Sequence, residues 1–175
     1  MSKKKLILNI GVTLDGYIAR ENGSVDYLDP FNETGDEYGL FKFLERISAI
    51  IMGNTTFQEY HTHPDFFEYY KGKEIFVFSR NSKLKHEKVT FTQDDPKDFI
   101  ENLSTEKDIW LLGGANLIKS FQDSNLIDEY IIGIVPVTIG SGIPLFEKSD
   151  HDTQLKLVKT ESFNSGIVNL HYTKK

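Results

Sequence analysis

Ile109-Trp110-Leu111-Leu112-Gly113-Gly114-Ala115-Asn116-Leu117-Ile118-Lys119-Ser120-Phe121 is the stretch on which the reading of this chain turns. Four apolar residues in succession are the pattern of a buried parallel strand. Two glycines follow, and Leu117, Ile118 and Phe121 then recur at helical spacing. The stretch reads as a strand, a tight turn and the first turn of a helix. Free N–H groups at such a helix start, with no side chains in the way, suit a phosphate. The same residues also fit a crowded strand-to-helix turn that binds nothing.

The chain has 175 residues, 39% hydrophobic and 26% charged, which fits one globular domain over 1–175 with a substantial core. A net charge of -6 argues against nucleic acid, which needs concentrated Lys and Arg on one face. No apolar run approaches the ~20 residues that span a membrane. The basic start before Leu6–Ile10 has too short an apolar run for a signal peptide, so a cytoplasmic location is expected. The absence of cysteine removes disulfides, thiolate nucleophiles and Cys-ligated metal sites. The sequons at Asn32, Asn54 and Asn102 then read as chance matches.

Leu6–Val12 reads as a central strand in which Gly11 allows close approach to the backbone. Asp15 to Gly35 is long and mostly irregular, as lids and binding loops are. Tyr38, Phe41 and Leu44 predict a short amphipathic helix over Asp36–Arg46. Ser48–Met52 is a second buried strand ending at Gly53, and Asn54-Thr55-Thr56-Phe57 opens a helix with capping residues. His61–Pro64 breaks it, and Asp65–Tyr70 is a further helical turn. Glu74–Phe78 is a third strand delivering Ser79 and Arg80, and Lys88–Phe91 a short fourth. Pro96 starts a helix over Asp95–Leu103. After the opening stretch come a strand at Asp128–Val135 and two antiparallel strands, Leu155–Phe163 and Ile167–Tyr172, joined by Asn164-Ser165-Gly166. The alternation predicts an α/β sheet, mainly parallel, flanked by helices and ending in an antiparallel hairpin.

In such a sheet ligands sit beyond the carboxyl ends of the parallel strands. Three of those ends are polar or glycine-rich: Gly53-Asn54-Thr55-Thr56, Ser79-Arg80 and Gly113-Gly114-Ala115-Asn116. Two are helix starts that suit phosphate oxygens. The third offers a hydroxyl and a guanidinium, which suits a ribose phosphate. The pattern is a nucleotide site split over three turns. No Gly-x-Gly-x-x-Gly is present, and Tyr17 stands where a P-loop requires Lys.

With these pieces in order, the chain resembles the dihydrofolate reductase-like superfamily, which includes the reductase domain of bacterial riboflavin biosynthesis. The matching stretches are Thr13 to Ala19, Met52 to Phe57, Leu112 to Leu117, and Val135-Pro136 with Gly140 to Phe146. They cover nearly the whole chain, and its small stand-alone members are the most alike. The resemblance implies a sheet of about eight strands that binds NADPH in extended form. Gly53, Asn54, Thr55 and Thr56, with Gly113, Gly114, Ala115, Asn116 and Leu117, would flank the pyrophosphate. Ser79 and Arg80 would receive the adenosine end, and Gly11, Ile18 and Ala19 would line the nicotinamide. The peptide between the paired glycines is often cis in this superfamily, a form that costs ~3 kcal/mol outside proline. Relatives commonly carry Arg where this chain has Asn54, which leaves Arg80 with more of the phosphate and keeps NADH as the alternative cofactor.

Hydride chemistry needs orientation and a proton from the protein rather than a nucleophile. By the spacing of the folate reductases, the resemblance places Glu37 as the proton-carrying carboxyl and Phe41 against the substrate ring. An acid in a first helical turn also complements the dipole without any catalytic role. Asp26 is a second acid within reach of a substrate, whereas Asp15-Gly16 reads as a turn. His61, His63 and Asp65 lack the ligand spacing of a metal site, and none is expected. The aromatic run Phe57, Tyr60, Phe66, Phe67, Tyr69 and Tyr70 either frames a heteroaromatic substrate or covers the sheet.

Dihydrofolate itself fits poorly. The first loop lacks tryptophan, and no arginine lies between Arg46 and Arg80 to clamp a glutamate tail. The function implied is an NADPH-dependent reductase of a small heteroaromatic substrate, most like the 5-amino-6-(5-phosphoribosylamino)uracil reductase of riboflavin biosynthesis. For that phosphate, Lys42, Lys71 and Lys73 are the candidates. The other readings are a dihydrofolate reductase and a nucleotide- or flavin-binding module without turnover. A homodimer is the expected assembly.

Overall fold

Apolar runs without alternation make strands that are covered on both faces, and these runs set the layers of the molecule. The computed structural model describes residues 4–32, 34–149 and 152–175. Its main sheet contains β1 (Leu6–Thr13), β3 (Ile47–Gly53), β4 (Glu74–Phe78), β5 (Thr90–Thr92), β6 (Asp108–Gly113), β7 (Glu129–Val135), β9 (Leu155–Ser162) and β10 (Val168–Lys174). They pair in the order β5-β4-β3-β6-β1-β7-β10-β9. From β5 to β7 all neighbours are parallel, and β10 and β9 close the sheet antiparallel. The expected α/β sheet with its terminal hairpin is therefore present.

Successive strand residues point to opposite faces, so Ile7 and Leu8, Ile50 and Ile51, and Trp110 and Leu111 serve different cores. One face packs Leu8, Ile51 and Leu111 against Phe99 of α5 (Pro96–Asn102) and Ile118 and Phe121 of α6 (Ala115–Asp123). The other packs Ile7, Ile50, Met52 and Trp110 against α2 (Leu40–Glu45), α3 (Asn54–Tyr60) and α4 (Phe66–Tyr69). Ile118 and Phe121 are wholly buried. At about 1.5–3 kcal/mol per buried side chain, they fix α6 and so fix where its amino end points.

The irregular segment after β1 is more ordered than its sequence suggests. It contains β2 (Tyr17–Ala19), a 3-10 turn at Asp26–Leu28 and α1 (Asp29–Asn32). β2 pairs with β8 (Ile143–Pro144), a long-range partner invisible in local sequence. Tyr27 is buried with Val135 and Ile167 in a small separate core and donates a hydrogen bond to the Ile18 carbonyl at 2.9 Å. Asp15 clamps the other side. Its carboxylate accepts from the Ile139 and Gly140 amides at 3.0 and 2.8 Å and from the Thr13 hydroxyl at 2.6 Å. The Thr13 bond is the main cause of a pKa below the ordinary aspartate value.

The helix expected over Asp36–Arg46 begins only at Leu40. Tyr38 and Gly39 both have positive φ, 49° and 75°, so the backbone cannot enter a right-handed helix before them. The short fourth strand lies at Thr90–Thr92 rather than Lys88–Phe91. No helix among the described residues is long and apolar enough to cross a membrane.

At the amino-terminal edge of the sheet, Glu129 is buried and accepts hydrogen bonds from Lys5 at 2.5 Å and Arg46 at 3.1 Å, and pairs with His171 at 3.1 Å. Burial alone would raise its carboxyl, but the Lys5 bond and the Arg46 charge outweigh that and hold it below its usual value. Arg46 also bonds Asp108 at 2.7 Å. This ionic knot ties β1, β6 and β7 together at the end opposite the cleft described next.

Candidate active site

The carboxyl ends of β3 and β6 are adjacent because the strands pair directly, with Met52 opposite Gly113. Each runs straight into a helix, and the two turns touch. A β-carbon on Gly53 would lie 3.8 Å from the Gly113 oxygen and the Gly114 nitrogen, and one on Gly114 would lie 3.4 Å from Thr56 Oγ1. Gly113 has a φ of 134°, a region that disfavours side chains, and the Gly113–Gly114 peptide is cis. The Leu117 and Ile118 amides donate to the Gly114 carbonyl, both at 3.0 Å. The preceding amides, of Ala115 and Asn116, have no acceptor within the helix.

These turns form the floor of a cleft of about 2000 Å³, roughly twice the upper end for drug-sized ligands. One end is the Ser79–Asn81 turn, fixed by the Ser79 amide on the Thr92 carbonyl at 3.0 Å and by Gln93 Nε2 on the Arg80 carbonyl at 2.7 Å. The Arg80 guanidinium has no ion-pair partner among the described residues. Lys119, the other cation along the cleft, is held by Asp123 at 2.6 Å. The middle is walled by Ile10, Gly11, Ile18 and Ala19. Close packing holds this wall, since a β-carbon on Gly142 would overlap the Ala19 carbonyl oxygen.

The remaining wall is aromatic. Tyr60, Phe66, Tyr69, Tyr70 and Trp110 line it, backed by edge-to-face contacts such as Tyr70 on Trp110 at 5.8 Å. Trp110 is oriented by its Nε1–H on the Asn9 carbonyl at 2.9 Å. Burial pushes the Tyr70 phenol well up, and raises those of Tyr60 and Tyr69, helped by the charges of Glu59 and Glu37 respectively. All three phenols therefore stay protonated and can donate hydrogen bonds.

The expected cofactor residues come together: Gly11, Ile18, Ala19, Gly53 to Thr56, Ser79, Arg80 and Gly113 to Leu117 all line this one cleft. The acids do not. Glu37 is exposed and is not among the lining residues, because the left-handed Tyr38-Gly39 pair leaves it outside the helix on which its expected position rested. It is felt at the cleft only as a charge near Tyr69. Phe41 is 51% exposed and lies against the Tyr69 ring, outside the lining. Asp26 pairs with Arg20 at 2.5 Å and does not line the cleft either.

Lys42, Lys71 and Lys73 are likewise absent from the lining. Lys71 pairs with Glu68, and Lys73 is spent on the carbonyls of Leu44 and Ile47. His61 stacks on Phe57, 4.5 Å between ring centres. No group of three or more His, Asp or Glu among the described residues could hold a metal ion. Sequence reasoning passed over Asn9, Glu59 and Gly142, which also line the cleft. A polar Asn9 in an otherwise apolar strand was a usable signal, and Gly142 lies in the matching stretch Gly140 to Phe146; Glu59 had none.

The model of the RibD C-terminal domain family matches residues 4–169. The chain belongs to that family. It is 38% identical to YwjB of Bacillus subtilis, a protein of uncharacterized function, across 98% of this chain and 99% of that one. A solved structure from Shewanella sp. PV-4, provisionally named a riboflavin biosynthesis protein, superposes with a TM-score of 0.86 at 26% identity, covering 98% and 99% of the two chains. Dihydrofolate reductase from Enterococcus faecalis, solved with NADP(H), shares the fold with a TM-score of 0.68 at 14% identity over 98% and 96%. The RibD C-terminal family is one of reductases of the riboflavin-biosynthesis type, and the dihydrofolate reductase-like fold is the one described above.

Proposed function

We propose that the protein is an NADPH-dependent reductase of a small heteroaromatic substrate. The observation that carries this reading is the convergence of three strand-end turns on one cleft, with an arginine at its end that has no ion-pair partner among the described residues. The residues fit the cofactor. Gly53 and Gly114 leave the backbone bare where a pyrophosphate would pass, and the space a β-carbon would take borders Thr56 Oγ1. Arg80 would hold the 2′-phosphate that distinguishes NADPH from NADH, a group that suits a guanidinium. Gly11, Ile18 and Ala19 give the nicotinamide a close wall.

When bound, the cofactor supplies a hydride. The chain's own residues do the rest. The aromatic wall holds a planar ring against the nicotinamide side and excludes water. Tyr60 and Tyr70, kept protonated by burial, donate hydrogen bonds to a ring heteroatom as it gains charge. The proton that balances the hydride reaches that heteroatom from solvent or through these hydroxyls.

Single-turnover oxidation of NADPH, followed by nicotinamide absorbance with pyrimidine, pteridine and quinone acceptors, tests the proposal. Oxidation with at least one acceptor supports it. Tight NADPH binding without oxidation by any of them would make the protein a nucleotide-binding module instead.

A further inference from the structure

We infer that the substrate side of the cleft accepts a planar ring bearing no phosphate or carboxylate; this rests on the reading of the other side as the dinucleotide site. Among the described residues, the Lys and Arg side chains along the cleft are Arg80 and Lys119. Both stand toward the proposed dinucleotide end, and Lys119 is already paired with Asp123. The formally charged carboxylates beside the aromatic residues are Glu59, next to Tyr60, and Asp65, next to Phe66. Lys42 does not line the cleft, and three further cations outside its lining are engaged. Arg20 is bound to Asp26, Lys71 to Glu68, and Lys73 to two main-chain carbonyls.

A phosphate entering this wall would lose water without gaining a guanidinium or ammonium. It would also meet the carboxylates of Glu59 and Asp65 along the same cleft. A neutral or cationic ring meets neither cost. It stacks on the tyrosines and Trp110, and a positive ring gains further from their faces and the acids. The chain thus departs in substrate from a reductase that acts on a ribosyl phosphate, while keeping that enzyme's fold.

The test is calorimetric binding to the full chain saturated with NADP+, which blocks turnover. Three ring systems (pyrimidine, pteridine and quinone) are each offered as a neutral compound and as its phosphate- or carboxylate-bearing partner. We expect at least one neutral ring to bind, at least about tenfold more tightly than its anionic partner. An anionic partner that binds equally well or better, or a panel in which no ring binds, overturns the inference. Glu59→Lys should narrow the neutral-to-anionic ratio by about fivefold; an unaltered ratio also counts against it. A separate NADP+ titration keeps the two claims apart. Failure there removes the reductase reading itself, whereas normal NADP+ binding with a preference for the anion removes only the substrate class.

Discussion

Tyr27 joins fold to site through a single hydroxyl, and Tyr27→Phe isolates that link. The ring is 6% exposed among Val135 and Ile167, so the phenylalanine keeps the packing. What is lost is the donor to the Ile18 carbonyl, on the strand that walls the cleft. An unmade bond at this depth costs about 1–1.5 kcal/mol, which in a chain of this size lowers Tm by roughly 2–6 °C. Tyr27→Ala adds a cavity and costs about 3–5 kcal/mol.

The pH dependence gives a second reading of the same group. Burial raises the Tyr27 phenol from 10.0 to about 12. A raised acid favours the folded state only while it is protonated, so its contribution is intact below pH 10 and is lost as pH rises toward 12. The full effect is about 3 kcal/mol. The wild type should therefore be the more stable protein at neutral pH and lose that lead to Tyr27→Phe above pH 10. Urea denaturation followed by circular dichroism at neutral pH and at two alkaline pH values measures both. Equal midpoints at neutral pH, or a difference that does not change with pH, would refute the reasoning.

Arg80→Ala should weaken NADPH by about tenfold and leave NADH within about twofold; equal loss for both would mean that Arg80 does not read the 2′-phosphate. Glu37→Gln should leave turnover within about twofold, since the carboxyl lies outside the cleft, and a loss of about a hundredfold would return it to the mechanism. Glu129 is held below its ordinary value of 4.5, so the stability it contributes is present above that pH and lost as pH falls through the folded value. Acid unfolding should begin there, and Glu129→Ala, which removes the shared acceptor of Lys5 and Arg46 but leaves Arg46 its bond to Asp108, should cost about 1–3 kcal/mol at neutral pH by urea denaturation.

The parallel sheet was legible because Leu6–Val12, interrupted only by Asn9, and Ala49–Met52 and Ile109–Leu112 are apolar runs, the pattern of strands buried on both faces. The gathering of the strand-end turns on one cleft was legible for a related reason. Glycines and a guanidinium at strand ends report backbone access and charge directly. The loop after β1 was not, because Tyr17–Ala19 becomes a strand only by pairing with Ile143–Pro144. Nor was the position of Glu37. The spacing of Tyr38, Phe41 and Leu44 suits a helix, but the left-handed turn at Tyr38-Gly39 delays its start. The charges were hardest of all. Nothing local in Lys71 or Lys73 says that one will meet Glu68 and the other two main-chain carbonyls.

Titration of NADPH into the wild type and Gly114→Val, read by calorimetry, tests the central claim most directly. The β-carbon at position 114 would fall 3.4 Å from Thr56 Oγ1, and the valine methyls would fill the space between the two turns that the proposal gives to a pyrophosphate. Saturable binding to the wild type and its loss in a folded Gly114→Val is the predicted result. No binding to the wild type, or undiminished binding to the variant, would contradict the assignment of this cleft to a dinucleotide.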